Sequence, residues 1–173
     1  MNDYIEVAYG ATTENIAVEQ VLKSPMTSRS CPFGLIENNT SISYYCLDWW
    51  IDPDDSIRVY TYDGSGYCDQ GIYNTGIVSQ NANKYFHLVI SKQSSLLEIF
   101  LNGNLISSRS TWTNGGPPLS LGAQFARIGT RTINGTPSQA WTGEIPITKI
   151  YNRALTPTEI TQNYNALKSR FDL

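Results

Sequence analysis

Charge is scarce in this sequence. Asp, Glu, Lys and Arg make up 16% of its 173 residues, against roughly 25% in an average soluble domain. The formal net charge is −3 and the 12 Lys and Arg are scattered along the chain, so no basic stripe exists to neutralise phosphates and nucleic acid is not an expected partner. Histidine occurs once, at His87. A Ser-His-Asp or Cys-His mechanism would have to use that residue, and without a second histidine or a Cys-x-x-Cys pair zinc is not expected. No apolar run approaches the roughly 18 residues of a membrane-spanning helix, so no membrane partner is expected. The opening Met1-Asn2-Asp3-Tyr4-Ile5-Glu6 has neither a basic nor an apolar leader region, and no export signal is read there. Cysteines number three, Cys31, Cys46 and Cys68. An odd count leaves at least one thiol outside any intrachain disulfide, and without export three reduced, buried thiols are expected. The sequons at Asn38, Asn39 and Asn134 then mark only loops.

Small neutral side chains are abundant instead. Ser, Thr and Asn number 17, 16 and 14, which suits the polar surface of an extended β domain, and the length suits one domain over residues 1–173. Period-2 segments, β-branched and aromatic, recur with turn residues between them, the pattern of a β-sandwich or jelly roll. Tyr4 to Tyr9 opens as a strand, Ile42 to Ile51 follows and is stopped by Asp52-Pro53-Asp54-Asp55, and Ile57 to Tyr62 alternates cleanly before Asp63-Gly64-Ser65-Gly66. Gly71 to Ser79 reads as a further strand. Phe86, Leu88 and Ile90 share one face, Leu97, Ile99 and Leu101 repeat that on the next strand, and Asn102-Gly103 is the pair a type I′ hairpin turn prefers. Ile145 to Tyr151 is apolar enough for a core strand, although Pro146 requires an edge or a bulge. A closing helix is expected over about residues 157–168, with Thr156 as N-cap, Pro157 at N1, Glu159 completing a capping box, and Ile160, Tyr164 and Leu167 on one stripe.

Lys84 to Ile90, Leu97 to Gly103, Arg127-Ile128-Gly129, and Gly143 to Ile145 with Lys149 to Thr156 together resemble the concanavalin A-like, laminin-G-like jelly-roll domain. The resemblance covers residues 80–173 best, and Ala11 to Asn39 does not follow the family's usual pattern. It implies an all-β sandwich of two antiparallel sheets with one short C-terminal helix. His87, Asn102, Gly103, Gly129, Tyr151, Asn152, Arg153, Leu155 and Thr156 would be fold-defining positions. The tail is more specific. Tyr151 to Leu155 followed by Gln162 to Phe171 resembles the end of lectin-like domains in virion proteins of tailed bacteriophages. That resemblance implies a non-enzymatic structural role at a virion surface, as capsid decoration or appendage, assembled in the bacterial cytoplasm. Coat or tail proteins would be the partners, in an oligomeric or lattice-bound state. A stand-alone carbohydrate-binding lectin or host-receptor reader is the alternative, and a glycoside hydrolase comes third.

The carboxylates form no Glu-x-Asp-x-x-Glu array of the sandwich glucanases, and Asp52, Asp54 and Asp55 read as solvated turn residues, so no catalytic residue is assigned. Glu98 reads as solvent-facing, Glu144 as a turn residue and His87 as structural. No cofactor is expected. Calcium could draw oxygens from Asp52, Asp54, Asp55, Asp63 and Asp69, but they lack an ordered ligand spacing. Aromatic rings are the remaining functional signal, because 11 Tyr and 4 Trp can stack on sugar rings as well as fill a core. Trp49 and Trp50 point to opposite faces of a strand, so at most one is expected in the core. Trp50, Tyr62, Asp63, Tyr67 and Trp112 are the candidate contacts to a glycan or partner.

Overall fold

The computed structural model describes residues 4–12, 14–36, 45–62, 67–112, 122–133 and 136–173; the side chains of 11, 12, 45, 46, 62, 67–70, 122–124, 132, 133, 136 and 137 lie outside the description. The strands are β1 (Ile5–Thr12), β2 (Asn15–Lys23), β3 (Ser30–Ile36), β4 (Tyr45–Ile51), β5 (Ile57–Tyr62), β6 (Tyr67–Ile72), β7 (Tyr85–Gln93), β8 (Leu96–Leu101), β9 (Asn104–Arg109), β10 (Gly122–Ile128), β11 (Arg131–Ile133), β12 (Thr136–Ser138) and β13 (Glu144–Tyr151). Two helices, α1 (Ile77–Asn81) and α2 (Pro157–Phe171), accompany them. Among the described residues one sheet has six strands in the order β1-β10-β3-β4-β5-β6 and another has five in the order β13-β2-β7-β8-β9, every pairing antiparallel. Strands β11 and β12 pair with each other beside β3.

The sheets pack face to face because alternate residues of each are apolar. Ile16, Val18 and Leu22 of β2, Phe86, Leu88 and Ile90 of β7, and Phe33, Leu35, Leu47, Trp49, Ile57 and Val59 from the six-stranded sheet meet in one core. Helix α2 closes the other side of the five-stranded sheet, where Ile160 and Leu155 join Ala17, Val89 and Phe100. Each such fully buried aliphatic side chain contributes about 1.5–3 kcal/mol. Strand β2 is thereby buried on both faces, and Glu19 and Gln20 sit in the middle of its run. That double burial erases the period-2 signal of β2, which lies in the stretch Ala11 to Asn39 that does not follow the family's usual pattern.

The strong local signals hold. Asn102 (φ 50°) and Gly103 (φ 77°) turn β8 into β9, Thr156 accepts from the Glu159 amide while Glu159 accepts from the Thr156 amide, and α2 runs to Phe171, three residues past the expected end. Pro146 lies in an edge strand at a register shift between Glu144 and Ile147. One strand is corrected: only Gly71 and Ile72 of the stretch Gly71 to Ser79 belong to one, and the chain turns through Asn74 and Gly76, both at positive φ, into α1. Asp55 directs this by accepting from the amides of Val78 (2.7 Å) and Ser79 (2.9 Å), a tertiary contact no local window contains. Asn38, Asn39 and Asn134 lie outside the described residues, as do the side chains of Cys46 and Cys68; Cys31 is free and buried, its thiol donating to the Phe33 carbonyl.

Candidate binding face

The outer face of the six-stranded sheet carries the densest polar chemistry. Cross-strand register sets Glu6, Arg127, Gly34, Asp48 and Tyr60 in one row from β1 to β5, and Trp50, Arg58 and Gly71 in the next from β4 to β6. Side chains opposite each other in a sheet share a face, so these residues meet. Arg127 pairs with Glu6 at 2.6 Å and lies 5.3 Å from the Tyr4 ring centroid. Trp50 stacks on Tyr60 at 4.0 Å, and the guanidinium carbons of Arg131 and Arg29 stand 4.4 and 5.2 Å from its ring. Arg29 grips Asp52 through two nitrogens, Arg58 approaches the same carboxylate at 3.6 Å, and Arg58 lies 5.7 Å from the Tyr73 ring. Arg29, Arg58, Arg127 and Arg131, four of the chain's seven arginines, therefore interleave with rings on one face.

Asp48 is the unusual group in this face. It is fully buried beneath Arg131, whose Nε stands 3.2 Å from it, and neither carboxylate oxygen accepts a hydrogen bond among the described residues. Burial pushes its carboxyl up to about 7, with the charge of Arg131 opposing the shift. A carboxyl poised near neutrality is what a general acid needs, yet this one has no exposed surface.

The other polar cluster is sealed under α2. Glu19, fully buried, receives Lys149 Nζ (3.1 Å), the Tyr151 hydroxyl (2.7 Å) and Asn163 Nδ2 (2.8 Å), and stands 3.2 Å from His87 Nε2. Burial alone would push Glu19 up, but the bonds from His87, Tyr151 and Lys149 outweigh it and hold its carboxyl at about 2. His87 is thus a buried sheet residue facing Glu19 and the Tyr164 ring at 5.8 Å.

The sequence-derived glycan candidates divide. Trp49 is the one of the pair in the core, as the alternation required, and Trp50, on the outer face, is nonetheless only 4% exposed, because Tyr60 and two arginines cover its ring. Trp112 is also buried, its indole N–H donating to the Ser95 carbonyl at 2.8 Å, so it packs in the core. Asp63 lies outside the described residues, as do the side chains of Tyr62 and Tyr67, whose backbones pair at the end of the β5–β6 ladder. Asp52 is buried and engaged by arginine where a solvated turn residue was expected, Asp54 accepts from Ser56, and Asp55 holds α1. Glu144, exposed and at the start of β13, accepts from Tyr85 and Lys23. Among the described residues no three His, Cys, Asp or Glu side chains are placed to hold a metal ion.

Tyr73 and the arginines were missed. Arg58 was legible in principle, since it shares the alternation of Ile57 to Tyr62 with Tyr60. Tyr73 had no signal, because it follows the strand and returns over it only in three dimensions.

The sequence profile described as "Concanavalin A-like lectin/glucanases superfamily" matches residues 5–161. By sequence no curated protein matches the chain. Among solved structures, the chain is similar to the carbohydrate-binding module CBM40 of the Ruminococcus gnavus IT-sialidase, bound to α2,3 sialyllactose, at 16% identity and TM-score 0.66 over 94% of this chain and 96% of that one. It is also similar to the native heptameric SAP-like pentraxin of Limulus polyphemus (14% identity, TM-score 0.65, 91% of this chain and 73% of that one). The NanB sialidase of Streptococcus pneumoniae aligns at 16% identity and TM-score 0.72 over 93% of this chain, which spans only 26% of the sialidase. At such identities the likeness is one of fold.

Proposed function

Because the chain belongs to the concanavalin A-like lectin/glucanases superfamily, we propose that it is a non-enzymatic binding module: a structural protein of a tailed-bacteriophage virion surface, capsid decoration or appendage, that contacts coat or tail proteins and adheres to surface glycans. The observation that carries the binding reading is the outer sheet face, where four arginines alternate with Tyr4, Trp50, Tyr60 and Tyr73. Arginine and aromatic side chains are the types enriched where proteins recognise partners. The non-enzymatic reading is supported by the same face: Asp48, whose carboxyl is shifted toward neutrality, is sealed, and Asp52 is paired with Arg29. The virion setting is supported by the tail motif Tyr151 to Leu155 and Gln162 to Phe171. The glycan half gains support from the relative of similar length bound to sialyllactose.

Mass spectrometry of purified particles is expected to find this polypeptide, and an array of glycans probed with the whole chain is expected to show binding without turnover. Binding to the array by a chain that no particle contains would leave the stand-alone lectin. Hydrolysis of an arrayed glycan, abolished by one carboxylate substitution, would reject the non-enzymatic reading.

A further inference from the structure

Tyr73 is the most exposed of the described rings on the outer face, ahead of Tyr4 at 40%. It is 56% exposed, whereas Trp50 is 4% exposed. Its ring end rests on the backbone of Gly71: a Cβ at Gly71 would stand 3.1 Å from the Tyr73 hydroxyl oxygen and 3.3 Å from Cζ. Glycine at this position leaves the ring room to lie close over the edge strand β6 with surface still presented to solvent.

One guanidinium lies against that ring and a second is bonded to the backbone on which the ring rests. Arg58, opposite Gly71 in the ladder, lies 5.7 Å from the ring centroid. Arg109, from the last position of β9 in the other sheet, reaches across the edge of the sandwich and donates from Nη1 to the Gly71 carbonyl at 3.3 Å. Among the described residues, the carboxylates of Asp52 and Asp55 are already committed. Asp52 is gripped by Arg29 through both oxygens before Arg58 reaches it, and Asp55 accepts from two amides of α1. Arg109 has no carboxylate partner among the described residues.

We propose that Tyr73, with Arg58 against its ring and Arg109 on the Gly71 carbonyl beneath it, is a platform for a sugar ring that carries an anionic substituent, a carboxylate or a sulfate. This rests on the glycan half of the function proposed above and specifies its ligand. The aromatic face is negative and attracts the C–H hydrogens of a pyranose, while a planar guanidinium fork matches the paired oxygens of a carboxylate or sulfate. A neutral sugar uses only the ring. An acidic sugar uses the ring and at least one arginine, and charge-assisted bonds of this kind contribute enough for a preference of about tenfold or more.

Calorimetric titration of the full chain with 3′-sialyllactose, a sulfated chondroitin tetrasaccharide and lactose tests this. The expected result is that one of the two acidic probes binds about tenfold or more tightly than lactose, more weakly as salt rises; which of them binds identifies the substituent. Tyr73→Ala and Arg109→Gln should each weaken that binding about tenfold while the melting temperature stays within about 2 °C. Gly71→Ala, which displaces the ring without removing it, should weaken it too. Equal affinity for lactose and both acidic probes, or acidic-probe binding untouched by Tyr73→Ala, overturns the platform and leaves a glycan reader with its site elsewhere. No binding of any oligosaccharide here or on the array overturns both readings.

Discussion

At the scale of single residues, two buried carboxyls titrate in opposite senses. Glu19 has its folded value depressed from 4.5 to about 2, so its contribution to stability is complete above about 4.5 and is lost as pH falls toward 2. Asp48 is the converse: its folded value is raised from 3.8 to about 7, so its contribution is complete below about 3.8 and is lost as pH rises through 7. Urea unfolding of Asp48→Asn should therefore show a flatter dependence between pH 5 and 8.5 than the parent, with the variant gaining relative to the parent at the alkaline end. A parent whose stability does not decline over that range would contradict the assignment. Glu19→Ala strands the Tyr151 hydroxyl, Asn163 and Lys149 together with His87. It should cost about 1–3 kcal/mol, the penalty for leaving buried polar groups without their partner, and Glu19→Gln less. Chemical denaturation at pH 7 measures both.

At the scale of elements, α2 depends on its cap and on the hairpin beneath it. Thr156→Ala removes the capping hydroxyl and should cost about 1 kcal/mol, read as faster amide exchange in the first turn of α2. Gly103 does two jobs: it takes φ 77°, and a Cβ there would stand 2.9 Å from Tyr164 Cδ1 of the helix. Gly103→Ala is therefore expected to cost about 1–3 kcal/mol and to loosen helix docking as well as the turn, so exchange should rise in both β9 and α2. Acceleration confined to the hairpin would mean that Tyr164 does not rest on it. These elements were readable because each signal is local. Strand β2 and helix α1 were not: β2 hides its period by being buried on both faces, and α1 is directed by Asp55, which lies 23 positions from Val78 in the chain.

At the scale of the whole molecule, the edges of the sandwich decide how it meets neighbours. Strand β1 ends the six-stranded sheet, and Ile5 and Val7, in register with Ile128 and Ala126 on the core side, are 61% and 49% exposed. Between this edge and β13 lies a cavity of about 270 Å³ whose walls include Tyr4, Ile5, Ile128, Trp141 and Ile145. Apolar side chains exposed on an edge strand are a site for association unless something covers them. If the proposed virion role holds, Ile5→Lys combined with Val7→Lys should leave the monomer's melting temperature nearly unchanged and reduce its incorporation into particles. Undiminished incorporation, measured by mass spectrometry of purified particles, would place the contact elsewhere.

Periodicity, the Asn102-Gly103 pair and the Thr156-Pro157-Thr158-Glu159 cap were enough for an all-β sandwich with a closing helix, because strand alternation, positive φ and capping are properties of neighbouring residues. The candidate face was legible only as a surplus of rings, and two of the rings singled out, Trp50 and Trp112, are buried. Tertiary structure decided which aromatics are covered and which arginines cover them. Exposure is set by what arrives from distant strands: Arg131 and Arg29 over Trp50, and Gly71 beneath Tyr73. The scarcity of charge met first in the sequence thus takes its meaning from placement, since a few arginines brought together by cross-strand register make one face chemically distinct.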